Sequence, residues 1–159
     1  MKKIIRLGMA CTTGIILTSV LVIVPVLAQR PDRDYPAVQK GVRFAPLHIY
    51  LDSGSRSLAA FQFELKATVG QIKIVGVEGG QHPAFAEAPY YDPAALANDR
   101  IIVAAFSTQQ DLPKAKTRIA TLHLQIIGDA EPEYELKLAV AADADGQELP
   151  AEITFEKGE

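Results

Sequence analysis

The chain has 159 residues, a formal net charge of −3, a single cysteine and no tryptophan. No cluster of Lys or Arg stands out in it, which argues against nucleic-acid binding, where affinity rests on neutralising phosphates. Cys11 lies in an apolar N-terminal run, so the rest of the chain offers no disulfide, no thiol nucleophile and no thiolate metal site.

Lys2, Lys3 and Arg6 precede an apolar run over 7–27, and Val26-Leu27-Ala28 carries the small residues of a signal-peptidase site. Residues 1–28 are therefore expected to be a signal peptide. The run is also nearly long enough to span a bilayer, so a retained N-terminal anchor helix, tethering the protein through 7–27, is the alternative. Both place the domain outside the cytoplasm, secreted or periplasmic. Cleavage after Ala28 removes 28 of the 159 residues and leaves 131, a normal size for one domain. It also removes three cations and takes the charge from −3 to −6. A chain of about 130 residues buries roughly two-thirds of its unfolded surface, enough for a core without disulfides. Residues 29–41 are polar, with Pro31 and Pro36, and are expected to be a linker. The domain is expected over 42–156, with 157–159 as a tail.

Within it, 43–51 is the first strand. Leu47, Ile49 and Leu51 point one way, His48 and Tyr50 the other. Pro46 lacks an N–H and suits an edge or a strand start. Asp52-Ser53-Gly54-Ser55 has turn composition. Over 59–65 apolar residues alternate with Ala60, Gln62 and Glu64, the period of a strand with one face on a core. A β-branched run over 72–77 follows and ends at Gly79-Gly80. The inner face is expected to be Phe61, Phe63 and Leu65, with Ile72, Ile74 and Val77 as partners.

Residues 81–98 are irregular and punctuated by Pro83, Pro89 and Pro93. Asp92 has the chemistry of an N-cap and Pro93 that of a first helical position, which predicts one helical turn there. Residues 100–106 are apolar on both faces, which predicts a central strand covered on both sides. After a polar loop over 107–116, 117–127 reads as a strand with Ile119, Leu122, Leu124 and Ile126 inward and Thr121, His123 and Gln125 outward. The slip in phase between Ile119 and Leu122 predicts a bulge. Gly128-Asp129 turns the chain, and over 134–140 the residues Tyr134, Leu136, Leu138 and Val140 are expected inward. Asp145-Gly146 is a tight-turn signature. Ile153 and Phe155 make a final strand. About seven strands with turn residues between them, and no long helical period, predict an all-β sandwich or barrel.

Four segments carry a family resemblance. LAAFQFELKA followed by IKIVGVEGG resembles the cohesin pattern in which a GFQF-L-YDP strand is followed by L-V-V-PG. RIIVAAFST resembles the cohesin strand that precedes a polar loop, and TRIATLHLQI the G-LATITFKV strand. AADADGQELPAEIT resembles the FADADGN-I hairpin and closing strand. Order and spacing agree from about residue 42 to 155. Ala67-Thr68-Val69-Gly70 stands where the family has YDP. The resemblance implies a jelly-roll β-sandwich of about nine strands, related to the carbohydrate-binding-module superfamily. Cohesins are non-catalytic modules that dock dockerins, and sister families bind polysaccharide. The resemblance therefore implies binding at the cell envelope, either of a protein partner, dockerin-like or another envelope protein, or of polysaccharide.

The residues show no reaction centre. There is no Gly-x-Ser-x-Gly elbow, and the paired acids sit in turn contexts without an apolar pocket to raise a carboxyl pKa. No enzyme activity and no cofactor are expected. Asp143, Asp145 and Glu148 are spaced as part of a calcium loop, which needs six to eight oxygens; the hairpin turn at Asp145-Gly146 accounts for the same residues, and no metal site is assigned. His48, His82 and His123 lack the short spacings of zinc ligands. Tyr50, Tyr90 and Tyr91 are the candidate aromatics for a glycan. For a protein partner the candidates are one outer sheet face with His123 and Gln125 together with the row of Gln62 and Glu64. A structural surface domain without a ligand is the remaining alternative.

Overall fold

The computed structural model describes residues 41–158. The expected leader, and the expected linker up to residue 40, lie outside the described residues. Eight strands follow one another: β1 (Val42–Asp52), β2 (Ala60–Val69), β3 (Gln71–Gly79), β4 (Tyr90–Tyr91), β5 (Arg100–Phe106), β6 (Lys116–Ile127), β7 (Glu133–Ala142) and β8 (Glu152–Lys157). They form two antiparallel four-stranded sheets, ordered β3-β6-β1-β8 and β4-β5-β2-β7. The all-β expectation holds. The strand beyond the expected seven is the two-residue β4, hidden in the irregular stretch.

Period-two burial stacks the two sheets around one core. Phe61, Phe63 and Leu65 of β2 and Ile101 and Val103 of β5 enter it from one side. Leu47, Ile49 and Leu51 of β1, Ile74 of β3 and Leu122 and Leu124 of β6 enter from the other. The chain passes from β2 to β3, and so from one sheet to the other, through Gly70 alone. Its φ of 82° is open to glycine at no steric cost. Pro46 lies inside β1, but its carbonyl accepts from Gly158 N where the β8 ladder ends. Its missing N–H therefore falls beyond the last rung.

Bulges set the phase of several strands. Ile49 pairs with Ala120 and Tyr50 with Arg118, so Ile119 is the extra residue expected in β6, and it is fully buried. A second bulge at Val75 keeps both Ile74 and Val77 on the core side of β3. A third overturns an expectation. Gln62 faces Val140 while Phe63 faces Leu138, so Ala139 is extra. The phase of β7 flips there. Val140 points to solvent, 44% exposed, and Ala141 takes the core position.

The strand over 100–106 also differs from its expected setting. β5 has β2 on one side and only β4 on the other, and its second apolar face is open. Ile102 is 42% exposed and Phe106 65%. Among the described residues no third layer covers this sheet.

Residues 81–99 strap the open side of the sandwich. Phe85 is buried, edge-on to Phe61 with centroids 5.1 Å apart. Ile74 N donates to Asn98 O and Ala97 N to Ile74 O, while Ala67 N donates to Asp99 O, so the strap ties into both sheets. The expected turn is present as a 3-10 helix, Pro93–Ala95, with Asp92 accepting from Ala94 N at 2.9 Å. A second, Pro83–Phe85, is capped by His82. Close approach demands the paired glycines: a Cβ on Gly79 would lie 2.3 Å from Ala86 O, and one on Gly80 2.3 Å from Arg118 O.

Two measurements check this architecture. Phe63→Ala is expected to cost about 3–5 kcal/mol in urea unfolding as a core deletion, while Gln62→Ala on the opposite face is near neutral; equal small effects would show the strand phase to be wrong. Gly80→Ala is expected to cost about 1–3 kcal/mol, because the new methyl meets backbone that cannot move aside; a wild-type midpoint would show that the strap does not pack as described.

Candidate functional site: the outer face of β4-β5-β2-β7

Burying Phe61, Phe63 and Leu65 commits Gln62, Glu64 and Lys66 to the outer face, since side chains alternate along a strand. The register then fixes their neighbours. Tyr90, Ala104, Gln62 and Val140 form one row, and Ile102, Glu64 and Lys137 another. Phe106 and Ala142 flank Ala60. Tyr90, 68% exposed, stacks on Phe106 with centroids 6.1 Å apart and planes 9° from parallel. These two rings alone expose roughly 250 Å², taking each as about 200 Å² of surface. With Ile102, and with Val140 beyond Gln62, they expose roughly 400 Å², the size of the largest apolar patch on an ordinary monomer, which is often functional.

Below this apolar part the face is charged, with Glu64 and Glu135 each paired to a cation and Lys66 in no ion pair among the described residues. Arg100 grips Glu64 in bidentate fashion, Nε to Oε1 at 2.7 Å and Nη2 to Oε2 at 2.9 Å. That hydrogen bond holds the Glu64 carboxyl below its ordinary range, against a smaller opposing effect of desolvation. Lys137 lies 3.1 Å from Glu135. Two clefts open beside β5, one on each side of β4. The first, about 300 Å³, runs from Pro83 and Glu87 to Tyr90, Phe106 and Gln109. The second, about 380 Å³, lies between Asp92, Asp99 and Ile102.

The candidates read from the sequence are divided between the two sheets. Gln62, Glu64 and Tyr90 share this face. Tyr91, one residue on, turns inward and packs against the core, so the two tyrosines form no common platform. His123, Gln125 and Tyr50 lie on the outer face of the other sheet. The single docking face that was expected to combine His123 and Gln125 with Gln62 and Glu64 is therefore two opposite faces. On the second face Lys116 sits over the Tyr50 ring, 4.7 Å from its centroid, and donates to Glu156 at 2.7 Å. His48 and His123 each find a different neighbour. His48 Nδ1 lies 3.0 Å from Thr121 Oγ1. His123 Nε2 lies 3.0 Å from Glu78 Oε1, near enough for attraction but misaligned for a hydrogen bond. Phe106, Ile102 and Val140 were absent from the sequence candidates. The signal for the first two was the two-sided apolarity of 100–106, which an uncovered binding face produces as readily as a buried strand.

Of the acids of the 143–148 hairpin, Asp143 is engaged locally. Asp143 Oδ1 accepts from Asp145 N at 3.1 Å and Gln147 N at 2.9 Å, and Oδ2 pairs with Arg56. The backbone bond from Gln147, with those from Asp145 and Arg56, holds its carboxyl below the ordinary range. Gly146, at φ 76°, makes the turn. Among the described residues no group of three or more His, Asp or Glu side chains is placed to hold a metal ion. Tyr134 is half-buried against Phe155, and desolvation pushes its hydroxyl up to about 12.

No protein-family model, no curated protein and no solved structure matches the chain.

Because the folded value of Tyr134 lies above the ordinary 10.0, its neutral hydroxyl contributes stability that is fully present below pH 10 and is lost as pH rises toward 12. Spectrophotometric titration is expected to show a late tyrosine phase near 12 that Tyr134→Phe removes. An unchanged late phase in that variant would place the ring outside the core.

Proposed function

We propose that the protein is an exported, non-catalytic docking module of cohesin-like, jelly-roll fold that binds a protein partner at the cell envelope. The observation that carries this reading is the exposed apolar surface of Tyr90, Phe106, Ile102 and Ala104, with Val140 beyond Gln62, on an otherwise regular sheet face. Several features support it. The four cohesin-like segments fall on β2 with β3, on β5, on β6, and on the end of β7 with the 143–148 turn and the start of β8. Eight strands in two sheets, with six of the seven connections crossing between sheets, suit a jelly roll. The cationic n-region and apolar run of residues 1–28 support export, by a cleaved leader or a retained anchor.

A bulge adds to the case. Bulges re-aim side chains beside functional sites, and the one at Ala139 turns Val140 onto the patch. Without it a valine would be in the core and an alanine on the surface. The charges also suit binding more than turnover. The carboxyl shifts at Glu64, Glu131, Asp143 and Glu156 are all downward through hydrogen bonds to cations or backbone, the reverse of what a general acid at neutral pH requires.

Glycan binding is the second reading, and the near-parallel Tyr90–Phe106 rings favour it. Protein docking is preferred because aliphatic Ile102 and Ala104 lie beside those rings on β5, with Val140 exposed on the same face beyond Gln62. A sugar ring needs hydroxyl partners as well as a flat apolar surface, and the centre of this patch offers only Gln62.

Pull-down from the native envelope fraction, compared between wild type and Phe106→Ala or Tyr90→Ala, tests the assignment. Both variants are expected to keep the wild-type melting temperature within a few degrees and to lose the partner. Retention by both variants would remove this face from the function. Retention of the wild type on insoluble polysaccharide, lost in the same variants, would move the assignment to glycan binding.

A further inference from the structure

The two clefts beside β5 differ in charge from the face they border. In the middle of the face the acids are neutralised, Glu64 by Arg100 and Glu135 by Lys137. At its ends they are not. Glu87 lines the first cleft beside Tyr90 and Phe106, and Asp92 and Asp99 line the second beside Ile102. Among the described residues none of these three carboxylates makes a salt bridge. Asp92 accepts one backbone bond through Oδ1, from Ala94, which leaves its charge in place. Arg100 also lines the second cleft, but Glu64 holds it in two hydrogen bonds. Along β5, then, free negative charge stands at both ends of an apolar stretch.

The span is short. Ile102 and Phe106 are four residues apart on one strand, about 14 Å at strand rise. The whole of 29–159, at −6, adds a long-range field of the same sign, which steers cations toward it.

We infer that the partner segment, on the docking reading above, is a short extended peptide with Lys or Arg on each side of an apolar or aromatic stretch. The apolar residues cover Phe106, Tyr90 and Ile102, and the flanking cations enter the two clefts, one at Glu87 and one at Asp92 and Asp99. In the first cleft a cation also lies beside two aromatic rings, which attract it through their faces. Charge complementarity of this kind sets partner choice and association rate more than raw affinity.

Three blocked hexapeptides test this. They share a Leu-Phe-Phe-Leu centre and carry Lys, Ser or Glu at both ends. Each is titrated into isotope-labelled protein lacking residues 1–28, with backbone amide shifts as the readout. The Lys-flanked peptide is expected to shift amides of β4 and β5 and to bind about tenfold more tightly than the Glu-flanked one. That preference is expected to shrink toward unity in Glu87→Gln combined with Asp99→Asn, and in about 0.5 M salt. Equal binding of the Lys- and Glu-flanked peptides, lost in Phe106→Ala, would overturn the basic partner and leave the docking face standing. No amide shift in β4 or β5 with any of the three would overturn both, as would polysaccharide retention through Tyr90 without peptide binding.

Discussion

Phe61 and Phe63, whose ring centroids lie 6.1 Å apart in the core, set the rest of the molecule in place. They sit on β2, which has β5 on one side and β7 on the other, so their burial fixes the phase of that sheet. A slip of one residue would exchange the whole inner set of β2 for its outer set. Gln62 and Glu64 face outward because their neighbours must not. Through the register, so do Ala104, Ile102 and Phe106. The face proposed for docking is thus a by-product of core packing, and the rigidity of the core becomes the rigidity of the face.

Where alternation is regular, the sequence is a faithful guide. The inner faces of β1, β2 and β6 follow it, and so does the bulge at Ile119, because two apolar residues out of phase have to be reconciled somehow. Asp92 caps the turn that its chemistry predicts. The failures have physical causes too. A strand apolar on both sides is either covered twice or open on one face, and both states select the same residues. That ambiguity concealed Phe106 and Ile102. The bulge at Ala139 left no trace, since an alanine fits the buried and the bulged position equally well. Tyr90 and Tyr91 look like a pair in a proline-rich stretch, but two residues of pairing with β5 are enough to point them in opposite directions. And facing away from the core does not say which of two sheets a residue belongs to, so His123 could not be separated from Gln62.

Charge on the face follows a gradient of pairing. Arg100 and Lys137 pair with the acids just below its apolar rows, where an unpaired charge under a docked partner would carry a desolvation penalty. At the rim, where water stays, carboxylates are left free. Such an arrangement favours a well-matched apolar centre for affinity and rim charge for choice of partner. The opposite sheet face has a different character. Its Lys116, Glu156 and Tyr50 engage one another, and Thr121 is buried beside His48.

Tyr90 owes its place to residues it does not touch. The strap that carries it is pinned by Phe85 in the core and by backbone approach at Gly79 and Gly80, which sit on or next to the far sheet. Only two residues of pairing hold β4 to β5. Inheritance of that outer face is therefore not confined to the residues on it. A methyl group gained at either glycine would disturb the strap that carries an aromatic ring to the other sheet, and any recognition proposed for that face would drift with every residue on it unaltered.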